Sequence, residues 1–174
     1  MIVYLLRHGA PKGGRKYRGN SINDPLSLQG WKTMFGSIKG LQFDYVYTSP
    51  MKRCLSFSKC VTKKARIVSN FKEIGFGDWE GKSPMEIGLE KIKLFKKNPS
   101  RHQIPKAENI HEFKIRVLKE YKKILKRHKK NEAVLIVTHA GVIRIILGYE
   151  NMIDINDLYR LEIKNAQLIS LTPK

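Results

Sequence analysis

Four side chains carry the first chemical signal in this sequence. Arg7 and His8 end the apolar run IVYLL, Arg53 lies four residues after Ser49, and His139 follows AVLIVT. Two arginines and two histidines brought together would repel one another unless an anion sat among them, and phosphate suits them. A guanidinium fork offers paired N–H donors matched to two phosphoryl oxygens. A neutral imidazole can attack phosphorus and carry the phosphoryl group as phosphohistidine, which divides one hard displacement into two easier ones. Neighbouring positive charge lowers the imidazole pKa and keeps the ring neutral near pH 7. Arg7 and Arg53 then clamp phosphate and His8 attacks. Gly9 permits the turn and the close backbone approach that holds the other ring nitrogen through a carbonyl. His139 stabilises charge on the group in transfer. No metal is expected: the arginines repel a cation, and no carboxylate or thiolate spacing supports a site on His8 and His139.

These residues converge only if the elements before them do. Ile2 to Leu6, Phe43 to Tyr47 and Ala133 to Val137 are continuously apolar, as buried parallel strands are. SLQGWKTMFGSIKG reads as a helix capped by Ser27, with Leu28, Trp31, Phe35 and Ile38 on one face and Gly40 as its stop. TSPMKRCLSFSKCV reads as a second helix, capped by Thr48 or Ser49 with Pro50 at its first position, whose N-terminus adds backbone donors for an anion. From Glu108 a long helix places Ile110, Phe113, Val117, Tyr121 and Ile124 on one stripe. LYRLEIKNAQLISLTP reads as two strands around Asn165 and Ala166. The alternation predicts a three-layer α/β/α sandwich, with a mostly parallel central sheet and helices on both faces. Ligands of such sheets sit beyond the carboxyl ends of the strands. Arg7 and His8, then Ser49 and Arg53, then His139 all reach that edge.

LLRHG, TSPMKRC and VTHAGVIR, with KEIGFGDWEG at 72–81 and AENIHEFKIRV at 107–117 between them, resemble the histidine phosphatase, or phosphoglycerate mutase-like, superfamily. The resemblance spans nearly the whole chain in the right order. It implies a phosphoglycerate mutase-like fold and no cofactor. His8 becomes the phosphorylated nucleophile, and Arg7, Arg53 and His139 complete the phosphate pocket. Glu73 becomes the acid that protonates the leaving oxygen, although Asp78 and Glu80 stand close by. Such an acid is needed because an alkoxide leaves poorly, and a carboxyl serves only where its surroundings raise its pKa. KYRGNS, FGDWEG and LSLQGW are most similar to the small phosphatases of the alpha-ribazole phosphatase branch. The chain also departs from the common pattern. Ala10, Pro11 and Gly14 stand where Glu-Thr and a later Asn are frequent, and Ala107 and Asn109 stand where Gly-Glu-Ser is frequent.

Length and charge agree with this reading. A chain of 174 residues fits one domain, 1–174. With 34 Lys+Arg against 15 Asp+Glu its formal charge is +19, which draws anions. Residues 82–106 form a lysine-rich insertion, read either as a helical lid over the site or as a solvated face. The two cysteines, Cys54 and Cys60, have neither a metal nor a redox spacing. No leader or membrane-length apolar run is evident, so a cytoplasmic location is expected. His102, His111 and His128 are expected on the surface. The function expected is hydrolysis of a small phosphomonoester, with alpha-ribazole 5'-phosphate one candidate. Phosphoglycerate mutase-type transfer is the alternative, and a basic nucleic-acid-binding module with a vestigial pocket is the rival from another class. Few aromatics interleave the basic runs, which argues against that rival.

Overall fold

The computed structural model describes residues 1–173. Its sheet has five strands: β1 (Ile2–Arg7), β2 (Tyr45–Thr48), β3 (Arg66–Ile67), β4 (Ala133–Thr138) and β5 (Leu168–Leu171), in the order β3-β2-β4-β1-β5. Three of the pairings are parallel, and β5 runs antiparallel beside β1. The main helices are α1 (Leu28–Ser37), α2 (Lys52–Val61), α3 (Pro84–Ile87), α4 (Leu89–Lys97), α5 (Ile110–Arg127) and α6 (Ala140–Glu150).

Alternation along the strands assigns the two faces, because successive side chains point to opposite sides of a sheet. Val3, Leu5, Tyr47, Val134 and Ile136 pack with α5 and α6, while Leu6, Val46, Leu135 and Val137 pack with α1 and α2. The three-layer architecture is thus as expected. The expected stripe of α5 is buried in full, from Ile110 to Ile124. Asn109 caps this helix by accepting from the amides of His111 and Glu112.

Other elements differ from the sequence reading. In α1 the buried residues are Gly30 and Met34, while Leu28 is 86% exposed. The helix is turned toward the loop after β1 because a Cβ at Gly9 would overlap the backbone of Gly30, and a Cβ at Gly30 that of Ala10. Helix α2 begins at Lys52, with Met51 as N-cap, so Pro50 lies outside it. The C-terminal stretch forms one strand, not two. Before β5 the chain makes a 3-10 turn at Leu158–Arg160 and an irregular run, in which Ala166 takes a positive φ of 56°. Within residues 82–106, Ile87 of α3, Ile92 and Phe95 of α4, and Ile104 are buried around Trp79. This segment therefore shares a small apolar cluster with the residues beside it and is more than a solvated lysine face.

Candidate active site

The parallel register aligns the strand ends. Arg7 lies beside Thr138, and Thr48 beside Val137. The next residues, His8, Ser49 and His139, leave the sheet together. The amide of His8 bonds Thr138 O at 3.0 Å and that of Ser49 bonds Val137 O at 3.0 Å. A cavity of about 780 Å³ opens at this edge, and Arg7, His8, Arg53 and Glu73 line it.

His8 Nδ1 lies 2.8 Å from Gly9 O. Since a carbonyl only accepts, Nδ1 carries the proton, and the lone pair falls on Nε2. Burial first, then the charges of Arg53 and Arg7, push the His8 pKa well below its usual 6.5. The ring is neutral at pH 7. His139 is fully buried and does not line the cavity. Its ring meets that of His8 edge-on at 5.2 Å between centroids, and its Nε2 lies 2.7 Å from Ser49 Oγ. Burial, Arg53 and His8 hold its pKa low as well.

Each arginine is fixed by backbone carbonyls. Arg7 Nη1 donates to Ile163 O at 2.7 Å. Arg53 donates from Nη1 to Ile22 O and from Nη2 to Gly19 O, both at 2.9 Å. The Nε of each is buried without an acceptor in the protein. A buried donor left unpaired is costly, and two charged ones at a common cavity are matched by an anion. Burial lowers Arg7 only to about 10, so it remains a cation at neutral pH.

Glu73 reaches the site differently. Its Oε2 accepts from the amide of Gly141 at 3.1 Å and its Oε1 from that of Ile74 at 3.0 Å. Gly141 stands in the first turn of α6, and a Cβ there would overlap the Glu73 carboxylate. The helix start beside the cavity is therefore that of α6, whose Ala140 lines it. At the start of α2 the Lys52 amide is used by Asn23 Oδ1 and the Met51 amide by Ser49 Oγ, so neither is free for an anion. The two nearby acids are engaged elsewhere. Glu80 accepts from the amides of Asn20, Ser21 and Phe76 and from the Ser21 hydroxyl, and Asp78 pairs with Lys106.

The sequence family described as histidine phosphatase superfamily (branch 1) matches residues 3–174. The chain belongs to this superfamily. A Hydrogenobacter thermophilus protein named "Putative phosphoserine phosphatase 2" is 25% identical over 180 residues, covering 97% of this chain and 88% of its own length. Among solved structures, that of Bacillus stearothermophilus YhfR has a TM-score of 0.85 at 24% identity, covering 97% of this chain and 89% of that one. The Escherichia coli structure titled "a putative alpha-ribazole-5'-P phosphatase" has 0.79 at 19% identity, covering 98% and 89%. These likenesses agree with the phosphoglycerate mutase-like fold, and the family assigns this histidine phosphatase to phosphatase chemistry.

Several residues of the site escaped the sequence reading. Arg18 is buried in the loop before α1 and binds Lys12 O, Gly14 O and Asp24. Arg144 lies over the Tyr159 ring at 4.9 Å between its guanidinium carbon and the ring centroid, and both residues line the cavity. Asn165 Nδ2 donates to His8 O at 3.1 Å. Arg18 stood in KYRGNS and Arg144 in VTHAGVIR, but only a three-dimensional neighbour distinguishes them from the other cations of a chain this basic. His128 corrects the expectation of a surface residue. Its side chain is buried between Tyr45 and Tyr47, with Glu132 on Nδ1. Among the described residues, no helix is long and apolar enough to cross a membrane.

Proposed function

We propose that this chain hydrolyses a small phosphomonoester through a phosphohistidine on His8, without a metal. The observation that carries the reading is the hydrogen bond from His8 Nδ1 to Gly9 O. It leaves Nε2 as the nucleophile in a cavity lined by two clamping arginines. In the first step Nε2 forms a bond to phosphorus and the ester P–O bond breaks, while Glu73 gives its proton to the leaving oxygen. In the second, the Glu73 carboxylate takes a proton from water as the water oxygen bonds to phosphorus. The P–N bond breaks, which frees neutral His8 and inorganic phosphate. Arg7 and Arg53 hold the phosphoryl oxygens throughout. His139, hydrogen-bonded to Ser49 and edge-on to the His8 ring, supports the charge of the transferring group through that ring.

The alcohol released is a small metabolite. The cavity has an aromatic wall of Tyr17, Phe76 and Tyr159, and a cationic rim that includes Arg15, Lys96 and Lys164. The wall suits a flat ring, as in alpha-ribazole 5'-phosphate, and the rim suits a carboxylate, as in phosphoserine. Helices α3 and α4 act as the lid, since Pro84 and Lys96 bring them to the cavity. Turnover of alpha-ribazole 5'-phosphate, phosphoserine and 3-phosphoglycerate ranks these candidates. Transfer between glycerate hydroxyls with little release of phosphate would favour mutase chemistry instead.

The test is hydrolysis of p-nitrophenyl phosphate in the presence of EDTA. Activity should survive the chelator and disappear in His8→Ala. Loss with EDTA, or persistence in the variant, would overturn the reading.

A further inference from the structure

The backbone that carries Glu73 is held by a device on another element. Arg116, on α5, makes five hydrogen bonds, enough to use all five guanidinium N–H groups. Two go to the Glu108 carboxylate, from Nε to Oε1 at 2.6 Å and from Nη2 to Oε2 at 2.8 Å. The others go to the carbonyls of Asn70, Lys72 and Glu73, at 2.6, 3.0 and 3.1 Å. Glu108 completes the grip, because its Oε2 accepts from the Gly75 amide at 3.1 Å and its own amide donates to Gly75 O at 2.9 Å. The Arg116 guanidinium also sits over the Phe113 ring, 4.7 Å from its centroid. Backbone on both sides of the Glu73 side chain is thus tied to a single bidentate ion pair, and the pair touches neither the cavity nor the phosphate clamps.

We propose that the Arg116–Glu108 pair positions Glu73 for proton transfer to the leaving oxygen, an inference that rests on the role of Glu73 given above. A bidentate, fully donated guanidinium fixes direction as well as distance. Displacement of a catalytic group by about 1 Å costs on the order of a hundredfold in rate.

A pair that only stabilises the fold would lower the melting temperature and leave the chemistry's response to the leaving group unchanged. The test is the rate of phosphoenzyme formation, with enzyme in excess, over phosphomonoesters running from p-nitrophenyl to alkyl. It is made for wild type, Arg116→Lys and Glu108→Gln. Alkyl esters, which need the acid, should slow by about 10- to 100-fold, while p-nitrophenyl phosphate stays within about threefold. Inhibition by inorganic phosphate should be unchanged. Glu108→Gln keeps an oxygen for the Gly75 amide and serves if Arg116→Lys does not fold. A uniform fall across the series, or none, would overturn the proposal. Glu73→Gln, run in parallel, separates the two claims. If it steepens the leaving-group dependence and the pair variants do not, the positioning role alone fails. If it leaves the dependence unchanged, the acid role of Glu73 fails, and the positioning role with it.

Discussion

At the residue scale the protonation state of His8 controls the proposed chemistry. Burial and the two arginines oppose the imidazolium, so the nucleophile is available well below the usual histidine pKa of 6.5. Corrected for the second ionisation of the substrate, kcat/KM should show no acid-side break at that pH. A break there, assigned to His8 by its persistence in the profile of an active His139→Gln variant or by direct NMR titration, would contradict the desolvated site. Gly141 gives a second prediction. Gly141→Ala places a methyl group where the Glu73 carboxylate rests. Hydrolysis of alkyl phosphates should fall by on the order of 10- to 100-fold, while the affinity for inorganic phosphate is kept. Equal losses in both would show that the phosphate clamps had moved. Arg7, His8, Arg53 and His139 were legible in the sequence because each stands at the end of an apolar strand or within five residues beyond it. Arg18, Arg144 and Arg116 were not, because among 34 lysines and arginines nothing local separates a buried guanidinium from a solvated one.

At the element scale, the strands that set the site announce themselves by composition. The helix whose start meets the cavity, α6, does not. Ser49 looked like a cap for α2, but its hydroxyl is bound to His139 and accepts from the Met51 amide, so the helix starts later. The C-terminal stretch has strand-like residues whose carbonyls serve the site instead of a ladder. Leu161 O accepts from Arg144 Nε, Ile163 O from Arg7, and the Ala166 amide donates to His8 O. Two glycines set the seating of α1. Gly9→Ala or Gly30→Ala should destabilise the fold by about 2 kcal/mol or more, since backbone and not a mobile side chain is in the way. An unchanged melting temperature would show that the loop and helix can separate freely. Asn109→Ala removes the acceptor for two amides at the start of α5 and should cost about 1 kcal/mol, measurable by urea unfolding.

At the scale of the whole molecule, two buried neutral histidines make stability depend on pH. The unfolded imidazoles titrate near 6.5, whereas in the fold both pKa values lie well below that. Between these limits the unfolded chain binds more protons, so stability present at neutral pH is lost as pH falls below about 6.5. The slope from these groups approaches one proton for each histidine, and His8→Ala should reduce it. The formal charge of +19 acts at longer range by steering anionic esters toward the cationic rim. Raising ionic strength should therefore lower kcat/KM more than kcat. These properties bear on one proposed chemical event, the attack of His8 on phosphorus. The most direct measurement is mass spectrometry of the enzyme quenched during turnover of p-nitrophenyl phosphate, with mapping of any phosphoryl group. An acid-labile phosphoryl group on His8, absent from His8→Ala, is the predicted result. Turnover with no phosphorylated histidine at any quench time, or with the group on another residue, would contradict the mechanism.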